Sequence, residues 1–352
     1  MRFLIAPDSF KECMTAKEAC EAIEEGINSA CEKLHEFFSI PLSDGGEGML
    51  PALIGSAGGS YRTFTVNDPL MRLVEAKLGM LNDNVTAVVE MAEASGLQLL
   101  AQSERNPHYT TSFGTGELIC RAIEMGAKKI IVGIGGSAVN DGGMGMLAAM
   151  GAEFYGADGC AVGHGGINAG KICGANFTAL NKFLEPIEIT AACDVTNPLL
   201  GTNGATYVFS EQKGSDAKMR ETLESCLTHY SKVIHQITGT DISCIPGAGA
   251  AGGVGAALLG ICRAKMRKGI DLVFEYTGIE NKIAGCDIVI TGEGGVDYQT
   301  AFGKTPFGVA QLAKKYGKPV ICLAGYLGEG YESLYEHGFT SFFSISNGIM
   351  QR

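Results

Sequence analysis

The sequence predicts an α/β fold in two domains, one built on a parallel sheet with helices on both faces and one that also contains antiparallel strands. Short, nearly continuous apolar runs alternate with helical segments along most of the 352 residues, as they do where a parallel sheet is buried on both faces. The segment 61–91 alternates instead and is broken at 67–69 and 82–84, which is typical of antiparallel strands. The length allows two domains.

The N-terminal elements begin with a strand at 2–6 and continue with a helix at 15–31. Thr15 and Glu18 have the spacing of a capping box, in which Thr15 is the N-cap and Glu18 the third helical residue. The same strand-loop-helix order recurs twice, with strands at 37–42 and 129–134 and helices at 47–54 and 142–150.

The C-terminal part predicts three more apolar strands, at 288–291, 320–324 and 342–346, with a helix at 308–316 between the first two. We therefore expect the two ends of the chain to share one sheet. The predicted division places residues 1–60 and 284–352 in the parallel-sheet domain and residues 61–283 in an inserted domain.

The composition excludes several classes of protein. Hydrophobic residues make up 46% of the chain and charged residues 18%, which excludes intrinsic disorder. The net charge of −11 and the lack of a run of lysines or arginines argue against a nucleic-acid partner. The longest uncharged stretch, 242–262, contains Pro246 and six glycines, so it predicts a loop that leads into a buried helix, and no membrane span.

Cysteine usage and the N-terminus predict a reduced, cytoplasmic location. The 12 cysteines are scattered without a CxxC pair, so we expect most of them to pack as small apolar side chains. The N-terminus lacks the three regions of a signal peptide. Neither HExxH nor GxSxG occurs, which argues against a zinc site and a serine hydrolase.

Two motifs near the N-terminus combine carboxylates with a cation or with glycines. Asp8, Ser9 and Lys11 follow the first strand and offer an acceptor for a metal or hydroxyl and a charge for phosphate or carboxylate. As a bare pattern, a capping aspartate and a solvated lysine are the simpler explanation. Asp44 and Glu47 lie among glycines and predict either a magnesium or hydroxyl site or a tight turn with a helix cap.

The middle of the chain carries three further candidates. The glycine-rich run 133–143, with Gly135, Gly136, Ser137 and Asn140, predicts free amides for a phosphate or carboxylate at a helix N-terminus, with a structural turn as the alternative. It fits neither the GxGxxG nor the Walker A template. Asp194 ends another apolar strand and predicts either a proton acceptor or a cap. In 246–255, close packing is favoured over nucleotide approach at Gly249, Gly252 and Gly253.

The C-terminal candidate is the run 291–300 with the lysine that follows it. Glu293 and Asp297 are four residues apart in a predicted glycine loop, and Gln299 and Lys304 come next. This combination of acids and a lysine predicts a magnesium and phosphate site, because a purely structural loop would not need it.

Taken together, these segments resemble the class I glycerate kinase family, of the glycerate 2-kinase type. The resemblance covers nearly the whole chain, and the order and number of the motifs make it specific. The matching motifs are APDSFK at 6–11, DGGEG at 44–48, NDPL at 67–70, EMAEASGL at 90–97, RNPHYTTSFGTGELI at 105–119, GIGGSAVNDGG at 133–143, CDVTNPLLG at 193–201, QKG at 212–214, PGAGAAGGVG at 246–255 and TGEG at 291–294.

The resemblance implies a kinase that uses ATP and Mg²⁺ to phosphorylate D-glycerate, most simply to 2-phosphoglycerate. It also implies a Rossmann-like domain made of the N- and C-terminal segments, an inserted mixed α/β domain, and an active site in the cleft between them. The small-molecule substrate is then the partner, with no nucleic acid and no membrane. The sequence leaves the oligomeric state open, with a homodimer as one option.

Phosphoryl transfer needs a base, cations and a metal, and the motifs supply candidates for each. Our hypothesis makes Asp194 the base, with Asp297 as its main rival. Lys11 would stabilise the transferred phosphoryl group or bind the substrate carboxylate. Asp44 and Glu293 are the candidate magnesium ligands. The candidate substrate- or nucleotide-binding residues are Asp8, Ser9, Gly135, Gly136, Ser137, Asn140, Gly249, Gly252, Gly253, Gln299 and Lys304.

Three residues depart from the pattern of the family. Met71 and Ser210 stand where the family usually has glycine, and Gly295 stands where TGEGR would give an arginine. Any anion contact of that arginine must then come from another cation. The alternatives to a kinase are a glycerate-binding sensor and a nicotinamide-dependent hydroxyacid dehydrogenase, although the GxGxxG fingerprint of the latter is missing after the first strand.

Overall fold

The computed structural model describes residues 1–10, 13–30, 34–43 and 48–346, apart from the side chain of Phe302. The strands are β1 (Arg2–Ile5), β2 (Glu36–Ser39), β3 (Gly59–Asn67), β4 (Leu73–Leu81), β5 (Thr86–Glu90), β6 (Lys129–Gly133), β7 (Glu153–Tyr155), β8 (Gly174–Asn176), β9 (Glu188–Ala192), β10 (Lys265–Arg267), β11 (Ile288–Val296), β12 (Val320–Leu327) and β13 (Ser341–Ser344). The α-helices are α1 (Ala16–Ala30), α2 (Met49–Ala57), α3 (Ala92–Ser95), α4 (Phe113–Glu124), α5 (Met144–Ala149), α6 (Thr178–Leu184), α7 (Ala205–Phe209), α8 (Ala217–Thr238), α9 (Val254–Gly260), α10 (Gly269–Thr277), α11 (Ile279–Gly285) and α12 (Thr305–Lys315).

The chain folds into two compact units, the first made of Met1–Gly58 and Gly269–Arg352 and the second of Gly59–Lys268. Helices α10 and α11 belong to the first unit, where α10 packs against α2 and α11 against β1. The predicted second boundary, between 283 and 284, lies after α10 and within the last turn of α11. The apolar pattern of 269–285 does not reveal which sheet the helices accompany, because an amphipathic helix packs on either.

The first unit contains a five-stranded sheet in the order β13-β12-β11-β1-β2, and all of its neighbouring strands are parallel. This arrangement confirms the predicted parallel sheet shared by the two ends of the chain. Leu4 and Ile5 in β1, which lies between β11 and β2, are completely buried. Phe3, Ile5, Cys20 and Ile290 form a cluster under α1. Burial of such side chains is the main stabilising contribution to the unit.

The start of α1 confirms the predicted capping box. The backbone N–H of Thr15 donates to the Glu18 carboxylate at 2.7 Å, and the N–H of Glu18 donates to the Thr15 hydroxyl at 3.2 Å. The Glu18 carboxylate accepts from the N–H and from the hydroxyl of Thr15, and these two hydrogen bonds lower its pKa.

Strand β11 is longer than predicted, because the glycine-rich run after Thr291 continues the strand instead of forming a loop. Glu293 pairs with Ala324 of β12, and Val296 pairs with Leu327. A Cβ at position 292 would lie 2.2 Å from the carbonyl oxygen of Leu323, so glycine there permits the close approach of the strands. The expectation that Glu293 lies in a loop is therefore wrong, and its side chain is positioned by a sheet.

The second unit contains a six-stranded sheet in the order β10-β9-β6-β5-β4-β3. The pairs β3/β4 and β4/β5 are antiparallel, and the remaining pairs are parallel. The predicted antiparallel character of 61–91 is confirmed. Strands β7 and β8 form a separate antiparallel pair. The buried side chains of this unit form one core, which includes Leu118, Val132, Leu227 and Val254.

The uncharged stretch 242–262 folds as predicted, as a loop followed by a short helix. Its glycine-rich part forms a tight turn at Ala250–Gly253, and α9 follows. Within the described ranges, no helix is long and apolar enough to cross a bilayer.

Candidate active site

Two of the predicted site residues, Lys11 and Asp44, lie outside the described residues. The other candidates fall into two groups, one in each unit. Each group lies at the carboxyl ends of parallel strands, which is where open parallel sheets hold their ligands. The predicted active site between the domains stays a prediction.

In the first unit, Asp8 follows β1 directly. Its backbone N–H donates to the Gly292 carbonyl at 2.9 Å, so the ladder with β11 continues to this residue. One carboxylate oxygen accepts a hydrogen bond from the Thr305 hydroxyl at 2.5 Å, and the other accepts from the backbone N–H of Ser9 at 2.6 Å. Asp8 is thereby fixed against the first residue of α12.

Glu293 is the second carboxylate of this group. Its side chain is only 13% exposed, and its two oxygens accept from the Thr300 hydroxyl at 3.0 Å and from the Lys304 ammonium at 3.1 Å. Burial raises the pKa of Glu293, Lys304 and Thr300 oppose this rise, and the nearby Asp8 adds to it. Lys304 also donates to the carbonyl of Gly295 at 3.2 Å. We call Asp8, Glu293, Lys304 and Thr305 the acidic cluster.

The donor set of the acidic cluster fits a magnesium ion. Carboxylate oxygens are its preferred protein ligands, and magnesium usually takes only one or two of them while keeping waters or phosphate oxygens. Asp8 and Glu293 supply two carboxylates that sense each other's charge. Within the described ranges, no group of three or more histidine, cysteine, aspartate or glutamate side chains is close enough to hold a metal.

Asp297 and Gln299 lie next to the acidic cluster but have local partners. Asp297 is the N-cap of the 3₁₀ turn Tyr298–Phe302, and its carboxylate accepts from the N–H of Gln299 at 2.8 Å. The side-chain amide of Gln299 donates to the Tyr298 hydroxyl at 3.2 Å. Capping is the structural role that such an aspartate plays at the start of a helical turn.

In the second unit, the run 134–143 follows β6 and accepts two hydrogen bonds from a buried lysine. Lys213 is only 1% exposed, and its ammonium donates to the Ser137 hydroxyl at 2.9 Å and to the Val139 carbonyl at 2.8 Å. Burial lowers the pKa of Lys213 to about 7, while the charge of Asp141 acts in the opposite direction.

Asp141 closes the same run. It is completely buried, and its carboxylate accepts hydrogen bonds from Thr111, Ser112, Gly143 and Gly145 at 2.8 to 3.2 Å. Two of these donors are amides at the start of α5.

The amides at the start of α5 are therefore already used. The N–H of Gly142 donates to the Gly252 carbonyl, that of Met146 donates to the Ser112 hydroxyl, and those of Gly143 and Gly145 donate to Asp141. Internal acceptors, including the Asp141 carboxylate, thus take the place of an external anion at these amides. The anion site at Gly135, Gly136 and Ser137 stays a prediction. In the described part of the chain, no acceptor is found for the amides of Gly135, Gly136 and Ser137.

Asn140 and the glycines of 246–255 have structural partners. The side-chain amide of Asn140 donates to the Thr206 hydroxyl at 3.2 Å, and both side chains are buried. A Cβ at Gly252 would lie 2.0 Å from the Val139 carbonyl oxygen, and one at Gly249 would lie 2.1 Å from that of Pro198. Gly253 has a φ of +93°, which favours glycine. These contacts favour the packing interpretation of this loop.

Asp194 lies two residues after β9, on the exposed side of the strand end. The N–H of the preceding Cys193 donates to the Arg267 carbonyl at 2.9 Å, so the backbone is still attached to β10 there.

The departures Met71 and Ser210 have different consequences for the backbone. Met71 has a φ of +63°, a left-handed conformation that favours glycine. Ser210 has a φ of −84°, so glycine is not required, and its hydroxyl shares a hydrogen bond of 2.6 Å with that of Ser215.

Gly295 lies under an aromatic ring. A Cβ at this position would lie 2.3 Å from the ring of Tyr326. The family pattern has an arginine at position 295. In this chain the ammonium of Lys304, which donates to the Gly295 carbonyl, supplies a positive charge next to that position.

Three residues of the two groups are not among the predicted site residues. Thr305 follows the candidate Lys304, Asp141 lies in the glycine-rich run 133–143, and Lys213 lies in the QKG motif. A lysine followed by glycine between exposed polar residues normally indicates a surface turn. The signal in the sequence was the QKG match itself, because spacing alone does not show that a lysine is buried.

Parallel strands that end in carboxylates in one unit and in a glycine-rich loop over a buried lysine in the other define an α/β enzyme that handles small anionic molecules. A model described as "Glycerate kinase family" matches residues 3–352, and the chain belongs to this family. The predicted class of enzyme, a phosphotransferase, and the predicted family are thereby confirmed.

Individual relatives agree with the family. A glycerate kinase of Bacillus cereus is 45% identical over 98% of this chain and 91% of its own length. The glycerate 2-kinase of Escherichia coli K12 is 44% identical over 99% of this chain and 91% of its own length. A crystal structure of a Salmonella typhimurium LT2 protein assigned to glycerate kinase 2 has a TM-score of 0.88 and 43% identity, covering 98% of this chain and 90% of that one.

Proposed function

We propose that this protein transfers the γ-phosphoryl group of ATP to D-glycerate and releases 2-phosphoglycerate and ADP. The acidic cluster is the observation that carries the proposal. It combines two carboxylates for a divalent cation with the lysine Lys304, which is the set that a magnesium-bound nucleotide needs. It does so in a chain whose family and relatives are called glycerate kinases.

Magnesium, when bound, would neutralise the charge that develops on the phosphate oxygens. Glu293 would hold it directly or through water, with Asp8 as the second carboxylate of the acidic cluster. Asp44 is the further candidate ligand and lies outside the described residues. The raised pKa of Glu293 shows that its carboxylate is poorly solvated, so a divalent cation beside it would stabilise its charged form. Lys304 would neutralise phosphate oxygens next to Glu293, and we keep Lys11 as a second cation for the phosphoryl group or the substrate carboxylate.

The chemical step requires a proton acceptor for the 2-hydroxyl of glycerate. The bond between the γ-phosphorus and the ADP oxygen breaks, the bond between that phosphorus and O2 of glycerate forms, and the hydroxyl proton passes to a carboxylate. Asp194 is our choice for this base. Asp297 is less suited to the role, because its carboxylate accepts the N–H of Gln299 as a helix cap.

The proposed activity is tested by incubating the protein with Mg-ATP and D-glycerate and following ADP formation. We expect ADP to appear only when both substrates and magnesium are present. Binding of D-glycerate without turnover would support a sensor instead. Oxidation or reduction of a nicotinamide cofactor with hydroxyacids would support a dehydrogenase, and either result would overturn the proposal.

A further inference from the structure

We propose that Lys213 is a positioning residue that acts through the hydroxyl of Ser137 to build a binding site for an anionic oxygen at the end of β6. The ligand is a carboxylate or a phosphoryl group. If the proposed function holds, it is either the carboxylate of D-glycerate or a phosphate of ATP. The lysine lies in the second unit, apart from the acidic cluster in sequence and in chemistry.

The lysine is placed inside the protein by its own turn. It ends the 3₁₀ turn Glu211–Lys213, and its N–H donates to the Ser210 carbonyl at 3.0 Å. The next residue, Gly214, has a φ of +94°, and a Cβ there would lie 2.1 Å from the carbonyl oxygen of Arg105. Glycine at 214 is thus required both by the backbone conformation and by the close approach. In this turn, the side chain of Lys213 lies inside the protein.

Nothing in the packing explains a charged group at this position. Within the described ranges, no carboxylate lies within 4.0 Å of the Lys213 ammonium, and its two acceptors are a hydroxyl and a carbonyl. Removing a cation from water without a counter-ion is unfavourable, so an apolar residue of similar size would stabilise the fold better. The charge of Asp141 acts on Lys213 from beyond 4.0 Å, and its carboxylate already accepts hydrogen bonds from other residues. An anion from outside the chain would supply a closer counter-charge.

Ser137 carries the effect of the lysine to the protein surface. Its oxygen accepts from Lys213, so its own proton remains to be donated to another group. The residue as a whole is 7% exposed, whereas Lys213 is 1% exposed, so Ser137 lies nearer to the solvent than the lysine.

The backbone at and before Ser137 offers further donors. The amides of Gly135, Gly136 and Ser137 have no acceptor in the described part of the chain. Gly136 has a φ of +67°, and its carbonyl accepts from the N–H of Leu97 at 2.9 Å. One hydroxyl and three amides, backed by a positive charge, form a set that recognises anionic oxygens.

The test measures binding separately from turnover. D-glycerate and a non-hydrolysable ATP analogue are titrated by calorimetry into the wild-type protein and into the variants Ser137→Ala and Lys213→Met. We expect the dissociation constant of one of the two ligands to rise about 10-fold to 100-fold in Lys213→Met, as for the loss of a charge-assisted hydrogen bond. The ligand that responds shows whether the anion is the carboxylate or a phosphate.

Two further variants show whether the lysine acts through the serine. The double variant should bind no more weakly than Lys213→Met alone, because both changes remove the same interaction. Ser137→Thr keeps the hydroxyl and should restore most of the affinity. Lys318→Met is the control, since Lys318 is half-buried and, like Lys213, donates to a backbone carbonyl, that of Cys286 at 2.8 Å.

Unchanged affinity for both ligands in folded Ser137→Ala would overturn the proposal, and so would additive effects in the double variant. Should Lys213→Met fail to fold, the comparison of Ser137→Ala with Ser137→Thr still decides it. A protein that binds either ligand through Lys213 but transfers no phosphoryl group would contradict the proposed function and leave this inference intact.

Discussion

The strand ends of the two units carry opposite chemistry. In the first unit, Asp8 and Glu293 present carboxylates that are partly compensated by Lys304. In the second, Ser137 and its neighbours present donors above the buried Lys213. The first arrangement suits a cation and the second suits an anion. A kinase for a small acid needs both, because its metal must be held by oxygen ligands while its anionic substrates must be held by donors.

The comparison predicts that the largest single effect on catalysis comes from the proposed base. We expect Asp194→Asn to lower kcat by roughly two to four orders of magnitude, because the amide cannot accept the hydroxyl proton. Binding of the ATP analogue should change little, which calorimetry checks. Asp297→Asn serves as the matched comparison, and a larger loss of kcat in that variant would move the role of the base to Asp297.

The next effect concerns the acidic cluster, which we propose binds the magnesium ion. Glu293→Gln should raise the magnesium concentration needed for half-maximal activity by about 10-fold to 100-fold, because an amide is a weaker ligand than a carboxylate. Activity as a function of magnesium measures this shift. Glu280→Gln is the control, since Glu280 forms an ion pair of 2.6 Å with Lys315 at the surface. An unchanged magnesium requirement in Glu293→Gln would separate Glu293 from the metal.

The buried Lys213 of the second unit predicts that the stability of the fold depends on pH. Burial lowers the pKa of Lys213 to about 7 from 10.5, and Asp141 is the charged group that opposes this shift. Between these values the unfolded chain binds a proton at this lysine and the folded chain does not, so folding becomes more favourable as the pH rises. Below pH 7 the penalty for burying the charge is fully present. Lys213→Met should therefore gain most over the wild type near pH 6 and lose that gain towards pH 10.

Chemical denaturation of both proteins across this range measures the difference. Curves that run parallel at all pH values would show that Lys213 is neutral throughout or that its charge is compensated in the folded protein.

The smallest effect concerns the turn between β3 and β4. Met71 has a φ of +63°, and an L-residue in this conformation costs about 1 kcal/mol or more relative to glycine. Replacing Met71 with glycine would remove this cost, but part of the stabilisation would be lost because glycine gives the unfolded chain more conformational freedom. Met71→Gly should raise the free energy of unfolding by about 0.5 kcal/mol, whereas Met71→Ala should not. A destabilised Met71→Gly would show that contacts of the side chain outweigh the strain.

Patterns that depend on local chemistry were predicted well from the sequence. The parallel strands at both ends of the chain, the antiparallel segment 61–91 and the capping box of Thr15 and Glu18 all follow from short-range periodicity and spacing. The extension of β11 through its glycines was missed, because glycine normally indicates a turn and only the neighbouring β12 makes it a strand here.

Features that depend on the folded environment were not predictable in the same way. The amides at the start of α5 look free in the sequence, yet Asp141 and Ser112 occupy them in the fold. The burial of Lys213 arises from contacts with Ser137 and Val139, more than 70 residues away in sequence. The roles proposed for the other candidates remain predictions.

The position of the transferred phosphoryl group is the most direct test of the proposed activity. Phosphorus NMR of the product formed from D-glycerate and Mg-ATP shows which oxygen carries the phosphate. The proposed reaction predicts one ester whose phosphorus couples to the single proton on C2. Coupling to the two protons on C3, or release of inorganic phosphate without any ester, would contradict it.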